Sequence, residues 1–286
     1  MKSNSAATRL GDLASVVVDR VRGHYGPGPR SDDLAAALSI FAGDQRPVDS
    51  DNLARVEVAA QTVFRHLELT HAHNLHPQDR SPGWPDPDLT AIRRTGANIT
   101  AVHRDPDGTA TICLTGLADV EAAAPLLAGA FTLVRGATSL VLDLRDNIGG
   151  DPATVAVIID WLAGGPPRHL FDVVYRDHTR QWWTAGSPIA EPPDAPVRAL
   201  IGPRTASSGE ALAWVLHDQR LATLVGQLTR GAADHVVPIA LSHNVHALIL
   251  EAHVVAPDGS RTWEGHGVQP DETTDPTDPA PPRHPR

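Results

Sequence analysis

Two short stretches of this chain, one rich in hydroxylated residues and the other carrying paired glycines, together suit acyl-transfer chemistry. The first is TASSGE, Thr205 to Glu210, which runs straight into the helix-forming ALAWVL. Ser207 and Ser208 therefore fall where a helix begins and backbone N–H groups have no intrahelical acceptor. A serine in that position can act as a nucleophile beside an oxyanion hole. Ser207 and Glu210 also spell S-x-x-E, the capping box that opens many ordinary helices, so the stretch by itself is compatible with plain capping. The second is RDNIGGDP, Arg145 to Pro152, whose glycines permit close approach of another backbone or a substrate. It matches neither the dinucleotide nor the phosphate-loop template, which leaves a nucleotide site without support.

Both stretches sit at strand-to-helix junctions. SLVLDL is an apolar run suited to a buried strand, and it leads through the glycine loop into ATVAVIIDWLAGG, with Pro152 in the helix's first turn. VRALIG delivers the chain to TASSGE in the same way. Further strands are expected at ATLVG, HVVPIAL and NVHALILEAHVVA, with HLFDVVYR between the two junctions. Ile99 to His103 and Ala110 to Leu114 flank the turn DPDG as a hairpin, and Asp119 to Val134 reads as a helix.

Ahead of these lies a helical start. Apolar residues recur at helical spacing over Thr8 to Tyr25, Ser31 to Gly43 and Ser50 to Leu69. The expected organisation is a helical subdomain over 1–75, a linker over 76–97, a mixed core over 98–271 and a disordered tail over 272–286. The residues alone thus support a mixed α/β chain with a helical beginning.

Composition narrows the function classes. A net charge of −10 argues against a nucleic-acid surface. No apolar run reaches the roughly 18 to 20 residues of a membrane span, and the first residues lack a signal-peptide core, so a cytoplasmic protein with no membrane partner is expected. Cys113 is the only cysteine, expected as a small buried residue in a strand, and it excludes an internal disulfide. His71, His73 and His76 lie in a loop without acidic or cysteine partners, so neither a metal nor another cofactor is expected. Lys2 is the only lysine, so a serine enzyme with a buried lysine base cannot be built.

Taken together, SLVLDLRDNIGGDP, GPRTASSGEALAWVLHDQRLATLVGQLTRGA and TWEGHGVQPD, with a looser FRHLEL, resemble the tail-specific or C-terminal processing serine peptidases. The resemblance is to the branch containing the tricorn protease core and the interphotoreceptor retinoid-binding protein domains. It implies an α+β fold with a ββα-superhelix core, related to the Clp protease and crotonase architecture, behind the N-terminal helical subdomain. It also implies Ser207 as nucleophile, with the N–H of Ser208 and of Gly149 or Gly150 as oxyanion donors. The position of the family's lysine base, 25 residues beyond the serine, is Ala232. The tricorn-like alternative places the base at His66 and its orienting acid at Glu264. His235, His243 and His266 are the nearby alternatives for the base, while Asp143 and Asp218 match acidic positions of structural character.

Two departures stand out. Ile148 replaces a glycine common among relatives, and Arg65 replaces a serine beside the histidine, where it could pair with Glu264. The implied activity is hydrolysis of an amide or ester in a peptide substrate. The same fold would also serve for holding an apolar small molecule, as in the retinoid-binding relatives, or for a repurposed small-molecule reaction such as a cyclisation. Assembly into a homo-oligomer is compatible with either.

Overall fold

In the computed structural model, residues 9–71, 84, 86–242, 244–260 and 262–274 are described. The chain divides into two compact units. The first takes Met1–Pro87, Phe171–Trp182 and Ala232–Gly265; the second takes Asp88–Leu170, Trp183–Gly231 and His266–Arg286.

In the first unit, three helices, α1 (Leu10–His24), α2 (Pro29–Leu38) and α3 (Ser50–Gln61), precede the short strand β1 (Glu68–His71). That strand joins β10 (Val245–Val255), β5 (His169–Tyr175) and β6 (Thr179–Trp183) in one sheet, and β9 (His235–Ala240) also pairs with β10. Leu10, Leu13, Val17 and Val21 from α1 share a buried cluster with Leu34, Val56, Phe64, Ile249 and Leu250. The i, i+3, i+4 spacing along α1 is what turns these side chains to one face.

Helix α3 stops at Gln61, short of Leu69, although the apolar spacing continues. The reason is local. Gln61 Nε2 donates to Leu67 O at 2.9 Å, and Glu57 accepts from the Leu69 N–H at 2.8 Å. Side chains of the last helical turn thereby satisfy backbone groups of a chain that has already turned. FRHLEL becomes a turn carrying His66, followed by β1, which pairs antiparallel with β10 from Glu68↔Leu248 to His71↔Val245.

The second unit holds a six-stranded sheet in the order β11 (Glu272–Thr273), β8 (Thr223–Gly226), β7 (Val197–Ile201), β4 (Ser139–Asp143), β3 (Thr109–Leu114), β2 (Ile99–Arg104). Only the β2–β3 pair is antiparallel; the other neighbours are parallel. Parallel neighbours need crossovers, and those from β3 to β4, β4 to β7 and β7 to β8 include α5 (Val120–Leu133), α6 (Pro152–Ala163) and α7 (Ser208–Asp218) respectively. Leu140 and Leu142 on β4, Ala199 on β7, and Ile158, Leu212 and Leu216 on the helices form its buried interior. Phe131 and Trp161 stack with ring centroids 3.6 Å apart. The architecture is α+β.

Several elements stand where the sequence reading has none. Helix α4 (Leu89–Arg94) falls inside the expected linker, capped by Asp88, whose carboxylate accepts from the Ala91 N–H. Glu272 and Thr273 pair with β8. Cys113 is half-buried on β3, not fully buried. His71 lies on β1, whereas His73, His76 and His243 fall outside the described residues.

Candidate active site

Strands β4 and β7 are parallel neighbours, so the loops at their C-terminal ends emerge side by side. This edge is where open parallel sheets place their ligand sites. The loop after β4 carries Asn147 to Asp151 and the loop after β7 carries Gly202 to Ser207. Thr205 Oγ1 donates to Leu144 O at 2.8 Å, Ala206 N–H donates to Asn147 O at 2.9 Å, and Ser208 Oγ donates to Gly150 O at 2.8 Å. An Arg204–Asp146 ion pair adds a clamp on the surface side. Ser207, Ser208, Gly149 and Gly150 are thereby gathered within one unit.

Ser207 is the N-terminal flanking residue of α7 and has φ 53° and ψ −129°. A positive φ in a non-glycine residue with this ψ is strained, by on the order of 1–3 kcal/mol. Its backbone N–H donates to Glu210 Oε2 at 3.0 Å, which is one half of a capping box. Its side chain makes no cap hydrogen bond. The hydrogen bond described for the S-x-x-E pattern is the one that the glutamate accepts from the backbone of Ser207.

Glu210 itself is fully buried and accepts from Thr229 Oγ1 at 2.5 Å and from the Gly231 N–H at 2.6 Å. A carboxylate with three donors is a rigid anchor for the first turn of α7.

The glycines are demanded by this geometry. Gly149 has φ 99°, and a Cβ there would lie 2.6 Å from Ser207 Cβ and 3.0 Å from Ser208 N. A Cβ on Gly150 would lie 1.9 Å from Leu117 O, because Leu117 and Gly150 form an isolated parallel bridge. The Gly149 N–H donates to Asn147 Oδ1 at 3.0 Å. Ile148, the departure from the family's glycine, is exposed and faces away from this packing.

The remaining candidates lie in the first unit. His66 Nδ1 is 2.7 Å from Asp234 O. A carbonyl can only accept, so Nδ1 carries the proton and the neutral ring keeps its lone pair on Nε2, the tautomer a base acting through Nε2 requires. Glu264 Oε2 accepts from the N–H groups of Ala233 and Asp234 at 2.7 and 3.0 Å. Its Oε1 accepts from Arg30 at 2.8 Å. Glu264 is thus tied to the same residue whose carbonyl holds His66. The described contacts place Arg30, from α2, on this carboxylate.

Arg30 and Asp234 escaped the sequence reading. Arg30 is 234 positions from Glu264, and Asp234 reads as an ordinary polar residue ahead of a strand. The signal within reach was a lone Asp next to β9, which carries little by itself. Of the alternative bases, His235 Nδ1 lies 2.9 Å from Glu251 Oε1, a histidine–carboxylate pair in its own right, and His266 is exposed. Asp143 pairs with Arg145 at 2.6 Å, and Asp218 ends α7. Among the described residues no three His, Cys, Asp or Glu side chains are grouped so as to hold a metal, and no helix is long and apolar enough to cross a membrane.

Asp234 is almost wholly buried, and burial, joined by the charge of Glu264 and opposed by Arg30, pushes its carboxyl up from 3.8 to about 7. One arginine serves two carboxylates. Between about pH 4 and pH 7 the folded chain then holds a proton that the unfolded chain has released, so the unfolded state binds fewer protons and stability falls as pH rises through that window. Urea midpoints measured at pH 5 and pH 8 should show this decline, and Asp234→Asn should flatten it. An unchanged decline in that variant would place its origin elsewhere.

The family model for peptidase family S41 matches residues 111–274. A carboxyl-terminal-processing protease of Synechocystis sp. is 38% identical over 98 residues, 34% of this chain and 22% of that protein, so the match spans about a fifth of that relative's length. Among solved structures, a candidate peptidase from Parabacteroides merdae aligns with a TM-score of 0.64 at 14% identity, covering 93% of this chain and 90% of that chain. A lipoprotein from Streptococcus agalactiae aligns with a TM-score of 0.59 at 15% identity, covering 93% and 92%. These structures establish likeness of fold, while the family model, matching more than half of the chain, establishes membership. The chain belongs to peptidase family S41.

Proposed function

We propose that this chain is a serine peptidase in which Ser207 attacks a peptide carbonyl. The observation that carries the reading is the strained Ser207 backbone at the start of α7, with the neighbouring loop pressing a glycine against it. The base is assigned to His66 on the sequence match, supported by the Nδ1 hydrogen bond that leaves the lone pair on Nε2.

In acylation the Ser207 Oγ–carbon bond forms as its proton passes to His66 Nε2. The carbonyl oxygen becomes an oxyanion, for which the Ser208 N–H in the first turn of α7 is one donor. Gly150 is the better second donor, because the Gly149 N–H is already given to Asn147 Oδ1. Collapse breaks the C–N bond, the amine leaves with the proton from His66, and water then hydrolyses the acyl-enzyme by the same route. Glu264 acts at one remove, fixing the backbone of Asp234 that holds the imidazole.

The test is reaction with a serine-directed fluorophosphonate followed by peptide mapping. One adduct is expected, on the peptide containing Ser207, forming more slowly in His66→Ala. No adduct, or an adduct on another serine, overturns the assignment. If His66→Ala reacts at the native rate, the base is not His66, and His235 with its Glu251 partner is the next to substitute.

A further inference from the structure

Beyond the nucleophile and its base lies a guanidinium that touches both sides of the histidine's support. Arg30 is the second residue of α2 and only partly exposed. Its Nη1 donates to Tyr25 Oη at 3.1 Å and to the carboxylate of Asp234. Its Nη2 donates to Val63 O at 3.0 Å and to Glu264 Oε1 at 2.8 Å. The guanidinium carbon also lies over the Phe64 ring, 4.3 Å from its centroid.

Val63 and Phe64 belong to the turn that delivers His66, while Asp234 supplies the carbonyl on His66 Nδ1. One planar group therefore contacts both the turn that carries the donor, His66, and the residue that accepts from it, Asp234. We propose that Arg30 is a positioning residue for His66, stapling the Val63–His66 turn to the Asp234–Glu264 segment so that the imidazole keeps one tautomer and one orientation.

This goes beyond charge neutralisation. Two carboxylates near one cation would be satisfied by any buried positive group, but the contacts to Val63 O, Tyr25 Oη and the Phe64 face need the flat fork of a guanidinium. Lysine supplies a point charge with rotatable donors and cannot span all five partners. The network supports the same view through its titration. Burial, then the charge of Asp234, opposed by Arg30, push the Tyr25 phenol up to about 12, which keeps it a neutral partner across the working range.

The inference rests on His66 being the base, and the experiment separates the two. In 15N-labelled protein near pH 8, native His66 is expected to show one tautomer, with Nδ1 in the protonated range and Nε2 in the lone-pair range. Arg30→Lys and Arg30→Met should both move these shifts toward exchange-averaged values. Both should also lower the maximal rate of fluorophosphonate labelling by about 10- to 100-fold, with the inhibitor's half-saturating concentration unchanged, as expected for a displaced base.

Arg30→Lys keeps the charge and guards against a Met variant that fails to fold. If either folded variant keeps the native His66 shifts, or Arg30→Lys keeps both shifts and rate, the staple is overturned and Arg30 serves stability alone. If instead the shifts move while His66→Ala labels at the native rate, the staple stands and the base assignment falls.

Discussion

Ser207→Ala is expected to abolish fluorophosphonate labelling and to lower peptide hydrolysis by roughly 10⁴-fold or more, the scale seen when a nucleophile that works as a unit with its base is removed. The fold should survive, because the Ser207 side chain makes no cap hydrogen bond and the anchor at this helix start is Glu210, which still accepts from the backbone at position 207. A sharper version uses Ser207→Gly. Glycine adopts φ 53° without the steric cost a Cβ imposes there, so this variant should be as inactive as the alanine variant yet more stable than the native chain by about 1 kcal/mol. Gain of stability with loss of labelling is the signature of strain retained for chemistry. Were Ser207→Ala to melt several degrees lower and keep its labelling, Ser207 would be a cap and the nucleophile would lie elsewhere.

The second large effect is expected at Gly149. An alanine there meets two penalties, the left-handed φ of 99° and a Cβ placed 2.6 Å from Ser207 Cβ. Neither atom is the far end of a flexible side chain, so the two loops must part or Ser207 must move. An ångström of displacement at a nucleophile costs about 10²-fold in rate, and loss of an aligned oxyanion donor costs about 10²–10³-fold more. Labelling of Gly149→Ala should therefore fall by at least 10²-fold. Gly136 provides the control, since it has φ 71° but nothing within 4 Å of an added Cβ. Gly136→Ala bears similar backbone strain without the collision, and should lose a little stability and no labelling. Equal losses in the two variants would show that strain, not contact with Ser207, is responsible.

The place of Ser207 at a helix start and of the glycine loop at a strand end was legible because both are local. TASSGE and RDNIGGDP each follow an apolar run and precede a helical one, and parallel strands joined by helices bring their C-terminal ends to one edge. The residue types at such junctions fit both plain capping and a nucleophile, and the family resemblance is what favoured the nucleophile. The candidate His66 was suggested only by a resemblance. FRHLEL reads as the end of a helix by its apolar spacing, and what breaks it are bonds from Gln61 and Glu57 to backbone that has already turned. Apolar periodicity reports burial, and Phe64, Leu67 and Leu69 are buried in the turn and strand just as they would be in a helix.

By itself the sequence determined a mixed helix-and-strand chain with a helical beginning, the absence of a lysine base and the place of Ser207 at a helix start, because these follow from hydrophobic patterning, composition and junction chemistry within short windows. Only the tertiary structure decided that Glu210 accepts from the backbone of Ser207, that Gly149 must be a glycine against Ser207, and that His66 is held through the backbone of Asp234. It alone brought Arg30 to Glu264 and Asp234 across more than two hundred residues. Hydrogen-bond partners and backbone strain depend on which distant segments fold together, and neighbouring letters carry no record of that.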